Sequence, residues 1–456
     1  MLDNVMLSFP NKNSVFINGV MITKEEFDKK LNNVIFNNIK KYSLTNSEII
    51  TDNEKFINEN LIINGDNLLA LHKLCPMFEN KIKLMYWDIP YNTQNKKVPY
   101  NDSFKHSSWL TMMKNRLEIA QKLLKDDGSI CIHCDVNEMA HLKVLCDEIF
   151  DRNNFISIIT CKVKAPSGVA SGAQVVFDCS EYILIYAKNK STFTYNHISE
   201  DAEIVNEYSK TKDNYKYILN SIDYSKKELV AEIDGDKVYR ISLADCNITT
   251  MGAQTALDYY NSFEKIFATA ALSGGKEKKI KAWLDTVSDA LDYVYIYEHM
   301  PSKGKNAGIL CEDLIYKKRG ILMLKDFVRV DHKDKRIIKT QHVTSIFSND
   351  WWQGIASEGN STLKNGKKPE ILIKTLLEMF TNENDIVLDA YLGSGTTAAV
   401  AHKMGRKYIG IEQLTNHYNM TKQRLLNVIG GDSTGVSKNV GWDGGGSFIS
   451  CELADK

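Results

Sequence analysis

The segment from Asp385 to Glu412 constrains the fold of this 456-residue chain more than any other. A short apolar run, a glycine turn, a helical stretch and a second apolar run follow one another there. We predict these four elements at Asp385 to Tyr391, Gly393-Ser394-Gly395, Thr396 to Met404 and Lys407 to Glu412. A strand, a tight turn, a helix and a second strand in this order form the repeating unit of a doubly wound α/β sheet.

The glycine turn also has the features of a ligand site. Glycines let the backbone approach a ligand closely, and the helix that follows offers unpaired N–H groups. Glu412 ends the next strand, 19 residues after Gly393. That spacing suits a carboxylate that accepts hydrogen bonds from the ribose hydroxyls of an adenosine cofactor. We therefore predict nucleoside-cofactor binding rather than a purely structural turn.

A nicotinamide-dependent enzyme is the alternative, because Gly393-x-Gly395-x-x-Ala398 also satisfies the dinucleotide fingerprint. Only 44 residues follow Glu412, too few for a second mononucleotide-binding half and a substrate domain. The remaining α/β pattern lies upstream instead. This topology argues against a dehydrogenase.

A second group of residues, Asp88-Ile89-Pro90-Tyr91, follows the apolar run from Ile82 to Trp87, which we predict to be a buried strand. Ligands of open α/β sheets bind outside the carboxyl ends of the strands. Alone, such a tetrapeptide is typical of a solvent-exposed turn. Its position at a strand end, together with the glycine turn, favours a functional site.

The pattern of the chain changes twice along its length. The strand and helix alternation is clear from Leu61, fades between about Tyr195 and Ile346, and then returns. We predict a sheet that is split by an insertion. The predicted segments are a peripheral segment at 1–60, one half of the sheet domain at 61–195, an inserted domain at 196–345, the cofactor-binding half at 346–431 and a glycine-rich tail at 432–456.

The overall charge is zero, with 57 Lys and Arg against 57 Asp and Glu. Any basic surface must therefore be local. Lys317 to Lys339 contains nine basic residues and three acidic residues, and it begins with Lys317-Lys318-Arg319. This excess indicates either a surface for a polyanion or ordinary solvated charge.

No apolar run approaches the ~18 residues of a membrane span. The first residues lack the basic and apolar stretches of a secretory signal. The nine cysteines, an odd number in a long chain, suit reduced thiols, so we expect a cytoplasmic protein. Cys131 and Cys134 are a lone Cys-x-x-Cys pair without a second one, and we predict core residues there rather than a metal site.

These motifs together resemble the amino-group DNA methyltransferases. Asp88-Ile89-Pro90-Tyr91 is similar to their Asp-Pro-Pro-Tyr catalytic motif, and the segment from Asp389 to Thr397 is similar to their S-adenosylmethionine loop. The catalytic motif comes first, which is the circularly permuted order of the beta class. The carboxyl-terminal segment, from Gly431-Asp432 to Ser447-Phe448, resembles modification subunits of type III restriction–modification systems.

The resemblance implies a Rossmann-like methyltransferase sheet with an inserted target-recognition domain. It implies transfer of a methyl group from S-adenosylmethionine to adenine N6 of a base flipped out of double-stranded DNA. Asp at position 88 favours adenine, because enzymes of this family that act on cytosine N4 commonly have Ser there. Cytosine N4 methylation and a catalytically inactive DNA-binding homologue remain alternatives. A homodimer and a restriction subunit are possible partners.

The resemblance also implies a role for each site residue. Asp88 and the backbone carbonyl of Ile89, which replaces the usual proline, would accept the N–H groups of the base, and Tyr91 after Pro90 would stack on it. Glu412 would bind the ribose of the cofactor, and Asp66 its adenine amine unless Asp66 is a helix N-cap. Seven further residues complete the predicted cofactor site: Lys368, Asp389, Tyr391 and, in the glycine loop, Gly393, Gly395, Thr396 and Thr397. Lys317, Lys318 and Arg319 would contact DNA phosphates.

Overall fold

The computed structural model of the protein describes residues 6–49, 56, 58–94, 102–164, 178–206, 208–252, 254–301, 308–360 and 366–456. The chain divides into two compact units. The first comprises Met1–Ile198 and Thr344–Lys456, and the second comprises Ser199–Val343. The second unit is therefore inserted into the first.

The part of the first unit up to Ile198 contains both strands and helices, and the two alternate from residue 61 onward. The strands are β1 (Val15–Ile17), β2 (Val20–Ile22), β3 (Val34–Ser43), β4 (Ser47–Ile49), β5 (Leu61–Asn64), β6 (Ile82–Asp88), β7 (Leu124–Cys134), β8 (Phe155–Lys162) and β9 (Ser180–Ala187). The helices are α1 (Lys24–Asn33), α2 (Asn67–Phe78), α3 (His106–Leu123) and α4 (Val136–Phe150).

The second unit consists mainly of antiparallel strands. They are β10 (Ser199–Ile204), β11 (Tyr215–Ile222), β12 (Glu228–Ile233), β13 (Asp236–Ser242), β14 (Cys246–Thr250), β15 (Ile266–Ala270), β16 (Tyr293–His299), β17 (Cys311–Tyr316), β18 (Arg319–Met323), β19 (Val328–Asp331) and β20 (Arg336–His342). Its helices are α5 (Thr211–Asn214), α6 (Ala256–Ser262) and α7 (Gly275–Thr286). The strands form an eight-stranded sheet, in the order β12-β13-β16-β17-β18-β15-β11-β14, and a three-stranded sheet, β10-β20-β19.

The chain then returns to the first unit. Its remaining strands are β21 (Ile346–Phe347), β22 (Ile386–Asp389), β23 (Lys407–Glu412) and β24 (Ser447–Asp455). Its remaining helices are α8 (Glu370–Phe380), α9 (Thr396–Lys403), α10 (Thr415–Ile429) and α11 (Ser437–Val440).

An eleven-stranded sheet forms the centre of the first unit, in the order β21-β8-β9-β7-β6-β22-β23-β5-β24-β3-β4. The strands from β7 through β24 in this order are parallel to one another, and they are flanked by the antiparallel strands β9, beside β7, and β3, beside β24. Residues Ile82–Trp87 of β6 are fully buried, because helices cover both faces of a parallel sheet. The predicted α/β sheet is confirmed.

The two ends of the described chain depart from the sequence prediction. We predicted a peripheral segment at 1–60 and a tail at 432–456, but β3 pairs antiparallel with β24 from Val34 opposite Asp455 to Ser43 opposite Ser447. Strand β24 also runs parallel to β5. The prediction missed β3 because its side chains are mostly polar and only Val34 and Ile39 are buried. No helix in the described ranges is long and apolar enough to cross a membrane.

Candidate active site

A cleft of about 1100 Å³ opens where β5, β6, β22 and β23 end. These strands are parallel, so their carboxyl ends meet at one edge of the sheet, where open α/β folds bind ligands. Most of the site residues predicted from the sequence line this cleft: Asp66, Asp88, Ile89, Pro90, Tyr91, Lys368, Asp389, Tyr391, Gly393, Thr396, Thr397 and Glu412. Phe16 and Asn18, in the segment predicted to be peripheral, line it as well.

Asp88 is the last residue of β6, and its carboxylate has two partners inside the cleft. Lys368 Nζ lies 3.0 Å from Asp88 Oδ1. The hydroxyl of Tyr91 donates to the same oxygen at 3.0 Å. The position of Pro90 is fixed by a hydrogen bond, because Trp109 Nε1 donates to its carbonyl oxygen at 2.8 Å. The strand end therefore holds the carboxylate and the aromatic ring in a defined arrangement.

Glu181 is a member of this site that the sequence analysis missed. Its Oε2 lies 3.1 Å from the Tyr91 hydroxyl, 3.4 Å from Lys368 Nζ and 2.9 Å from His133 Nε2. His133 in turn is 2.8 Å from the Tyr86 hydroxyl through Nδ1. The Tyr91 hydroxyl has one proton, so it can donate to Asp88 or to Glu181 at any moment but not to both.

Opposite charges fix the ionisation of this group. Burial by itself raises the pKa of Glu181, but Lys368 and His133 outweigh it and hold that pKa well below its usual range. Burial by itself lowers the pKa of Lys368, and Asp88 and Glu181 reverse this, so the Lys368 pKa lies above its usual range. Lys368 is therefore an ammonium held between two carboxylates at neutral pH.

The glycine turn lies between β22 and α9 and needs left-handed backbone at two positions. Gly393 has φ of 53° and Gly395 has φ of 77°, a region that residues with a Cβ rarely adopt. A Cβ on Gly395 would also lie 2.7 Å from the Thr421 side chain. Gly395 is the N-cap of α9 rather than a cleft-lining residue. The turn brings the backbone of Gly393 to the cleft surface.

Glu412, at the end of β23, is tied to this turn by its carboxylate. Its Oε2 accepts a hydrogen bond from the N–H of Gly393 at 2.8 Å, and its Oε1 accepts one from the N–H of Leu414 at 2.8 Å. Burial raises the pKa of Glu412, although these two N–H groups oppose the rise. The acidic strand end and the glycine turn thus form one structural unit.

Asp66 precedes α2 and is its N-cap, since its side chain accepts hydrogen bonds from the N–H groups of Leu68 and Leu69. Its other carboxylate oxygen lies 3.4 Å from Arg116 Nη2. The N-cap interpretation of Asp66 is thereby confirmed. Asp66 also lines the cleft, and its contact with a cofactor stays a prediction.

Asp389 ends β22 directly beneath the cleft. Burial raises its pKa to about 7, against the lowering effect of hydrogen bonds from Thr397 and from the N–H of Tyr391. The Tyr391 ring packs edge-on against Trp87 with ring centroids 5.7 Å apart. Burial also raises the pKa of Tyr391 to about 12.

Beneath the glycine turn lies a buried ionic network that the sequence analysis also missed. Lys403 Nζ lies 2.9 Å from Glu370 and 2.7 Å from Asp432, and all three side chains are almost completely buried. Arg424 donates to Glu370 Oε1 at 2.7 Å and to Thr396 Oγ1 at 2.9 Å. The network connects the start of α9 to α8, α10 and the segment after α10. These contacts therefore stabilise the glycine turn.

The three residues predicted to contact DNA lie elsewhere, in the second unit. Lys317 and Lys318 form the hairpin turn between β17 and β18, both with positive φ, and Arg319 begins β18. Lys317 Nζ lies 5.1 Å from the centre of the Tyr316 ring, and Lys318 Nζ lies 3.8 Å from Asp285. Arg319 donates to the Thr269 carbonyl at 3.1 Å. Their contact with DNA stays a prediction.

The cysteine motif lies in the core, as predicted. Cys131 and Cys134 of β7 are completely buried. All nine cysteines are free thiols. Of the four residues in that motif, His133 is the one that contacts the active-site group, through Glu181.

The chain is similar in sequence to known proteins. Residues 82–423 match a family model described as DNA methylase. The chain is 37% identical, over 97% of its length, to the probable type III restriction-modification enzyme HindVI Mod subunit of Haemophilus influenzae, and it covers 61% of that protein. It is 26% identical, over 77% of its length, to the type III restriction-modification enzyme EcoPI Mod subunit of Escherichia phage P1, and it covers 56% of that protein. The chain therefore spans little more than half the length of these curated relatives.

Among solved structures, a putative DNA modification methylase from Thermus thermophilus, in complex with S-adenosyl-L-methionine, is 14% identical. The match covers 81% of this chain and 95% of that one, with a TM-score of 0.37. The family model matches well over half of the chain, and it confirms the resemblance drawn from the motifs. The chain belongs to the DNA methylase family.

Proposed function

We propose that this protein transfers the methyl group of S-adenosylmethionine to N6 of adenine in DNA. One observation carries the proposal. Asp88 ends β6 and the Gly393 turn follows β22, and because these two strands are adjacent and parallel, both features face the same cleft. An acceptor for amine protons and a turn suited to a nucleoside cofactor lie together there.

The residues around the turn fit this cofactor. The left-handed backbone at Gly393 leaves the cleft surface free of a side chain, and Glu412 supplies a carboxylate at the strand end where a ribose would lie. Asp66, Asp389, Tyr391, Thr396, Thr397 and Lys368 would complete the cofactor site, with Gly395 shaping the turn. When bound, S-adenosylmethionine supplies an electrophilic sulfonium methyl group.

The chain's own residues would prepare the base for attack. An exocyclic amine is a poor nucleophile because its lone pair is delocalised into the ring. By accepting the amine N–H groups, the Asp88 carboxylate and the Ile89 carbonyl would favour a pyramidal nitrogen whose lone pair is available. Tyr91 would stack on the flipped base. Positioning and fixed charges do most of this work, and no covalent enzyme intermediate is needed.

We propose that the second unit recognises the target sequence, with Lys317, Lys318 and Arg319 contacting phosphates. Double-stranded DNA is the proposed substrate. The Mod names of the relatives support a restriction subunit as a partner, and a homodimer is a further proposal. The nine free thiols support a cytoplasmic location.

The test is nucleoside mass spectrometry after incubation with isotopically labelled S-adenosylmethionine and unmethylated bacterial DNA. We expect labelled N6-methyladenine, and we expect its loss in Asp88→Ala with cofactor affinity retained. Labelled N4-methylcytosine would keep the mechanism and change the base. A protein that binds both DNA and cofactor but yields no product would support the inactive DNA-binding homologue. Failure to bind S-adenosylmethionine would contradict the proposal.

A further inference from the structure

Two histidines and one glutamate converge at the amino-terminal ends of α3 and α4. His106 is the first residue of α3, and Glu138 and His141 lie three residues apart in α4, so their side chains share one face of that helix. The candidate ligand atoms of His106, Glu138 and His141 all lie within 4.8 Å of one another. None of the three belongs to the residues that line the cleft described above.

The glutamate is buried, and only one of its oxygens accepts a well-directed hydrogen bond. Glu138 is only 3% exposed. Its Oε1 accepts a hydrogen bond from Asn92 Nδ2 at 2.7 Å and lies 3.0 Å from His106 Nδ1. Its Oε2 has no hydrogen-bond partner within the described ranges. A buried carboxylate oxygen without a well-directed hydrogen bond is costly, and a bound cation would supply the missing interaction.

Both imidazoles lie near Glu138 Oε2. His106 Nδ1 lies 2.8 Å from Glu138 Oε2, and His141 Nδ1 lies 4.0 Å from it. The two imidazole rings are themselves 4.1 Å apart between centroids. A single hydrogen bond to Glu138 would account for the position of only one of the two imidazoles. Two imidazole nitrogens and a carboxylate oxygen that lie this close together can share one cation.

We propose that His106, Glu138 and His141 bind a divalent transition metal ion of the Zn²⁺ class. Two imidazole nitrogens and one carboxylate oxygen are ligands that Zn²⁺ accepts at about 2.0–2.2 Å, with open positions for water. The side chains of His106 and His141 are 45% and 49% exposed. They can therefore close on an ion, and the ion can enter from solvent, while the buried Glu138 stays in place.

Asn92 links this site to the segment that carries Tyr91. It donates to Glu138 Oε1, its own Oδ1 accepts from the N–H of Phe104 at 2.8 Å, and its N–H donates to Asp102 at 2.8 Å. An outer partner of this kind orients a metal-bound carboxylate. By orienting Glu138, the ion would thus hold Asn92 in place and, through the hydrogen bonds of Asn92, also Asp102 and Phe104. The binding of the ion does not depend on the proposed methyl transfer.

The test uses the untagged 456-residue chain and titrates Zn²⁺ against a chromogenic chelator. We expect one tight site per chain, weakened at least tenfold in His106→Ala and in His141→Ala. His332→Ala is the matched control, because His332 is an exposed histidine of the second unit, and it should bind Zn²⁺ like the wild type. Because both ligand histidines are half-exposed, circular dichroism should show that the variants stay folded.

Co²⁺ provides a second readout that does not depend on activity. The absorption spectrum should show d–d bands of nitrogen and oxygen ligands without the thiolate charge-transfer band that the free cysteines would produce. Zn²⁺ should also raise the melting temperature of the wild type and not that of His141→Ala. Absence of binding, thiolate ligation, or equal affinity in the wild type and both ligand variants would overturn the proposal.

Discussion

The ammonium of Lys368 lies 3.0 Å from the carboxylate of Asp88, the group that we propose accepts the amine of the base. A base that enters the cleft must therefore share this carboxylate with Lys368. Glu181, 3.4 Å from the same ammonium, offers Lys368 a second carboxylate. In the proposed reaction, the second carboxylate would let Asp88 turn to the base without leaving the buried cation of Lys368 unpaired.

Glu181→Gln should slow methyl transfer without weakening cofactor binding. Removing the second carboxylate leaves Lys368 paired with Asp88 alone, so the amine of the base competes less well. If this competition raises the activation free energy by about 1.4 kcal/mol, kcat falls roughly tenfold. Single-turnover kinetics and calorimetric titration with the cofactor measure the two effects separately. Glu181→Asp should recover part of the rate, and Glu48→Gln, at an exposed position of β4, should have no effect. An equal loss of cofactor affinity would assign Glu181 a structural role instead.

The raised pKa of Asp389 predicts that the cofactor-free protein loses stability as the pH rises from about 4 to about 7. The folded state keeps a proton that the unfolded chain has already released, so unfolding releases a proton and a higher pH favours it. Three pKa units correspond to about 4 kcal/mol. Denaturant unfolding at several pH values should therefore give a flatter profile for Asp389→Asn. Profiles of equal slope for variant and wild type would contradict this.

Gly395→Ala should weaken cofactor binding by distorting the turn. A methyl group there meets Thr421 at 2.7 Å and also requires a left-handed alanine. Gly441→Ala is the matched control, since Gly441 has φ of 66° and open space around its Cβ. We expect a drop in affinity for Gly395→Ala alone, measured by calorimetry. Adding Thr421→Ala, which removes the colliding atoms, should recover part of the affinity.

Neutralising the hairpin turn of the second unit should weaken DNA binding and leave cofactor affinity unchanged. The variant Lys317→Gln, Lys318→Gln, Arg319→Gln removes three charges, so the salt dependence of binding should become shallower by about 2 to 3 in log–log slope. The control variant Lys276→Gln, Lys279→Gln removes lysines that are already paired with Asp236 and Asp234. Fluorescence anisotropy across salt concentrations distinguishes the two. An unchanged slope in the triple variant would place the DNA surface elsewhere.

Elements with a continuous apolar run were predictable from sequence, and elements defined by distant partners were not. Strand β23 has the predicted bounds, Lys407–Glu412, because a strand buried on both faces carries a continuous apolar run, here Tyr408 to Ile411. Strand β3 is mostly polar, and its partner β24 lies near the other end of the described chain. Nothing local in residues 34–43 reveals that pairing.

The same distinction applies to the site. Asp88 and Glu412 could be predicted because each ends a parallel strand at the cleft edge. Glu181 instead lies at the start of β9, and it reaches the same edge only because β9 is antiparallel to β7, an orientation that local sequence does not specify. Lys403 and Glu370 were missed for a different reason. A charged residue in a helix is normally assigned to the surface, and only the folded chain shows that these two neutralise each other in the interior.

The position of β24 between β5 and β3 has a consequence for how the protein is made. Strand β3 leaves the ribosome long before its partner β24, which is synthesised more than 400 residues later. The central sheet of the first unit therefore cannot be completed until nearly all of the described chain has emerged. The pairing partners of the second unit, by contrast, all lie within Ser199–Val343, so its sheets can form during translation. Before β24 is synthesised, the edges of β3 and β5 that pair with it are exposed. We therefore expect nascent chains of this protein to be most prone to aggregation in that interval.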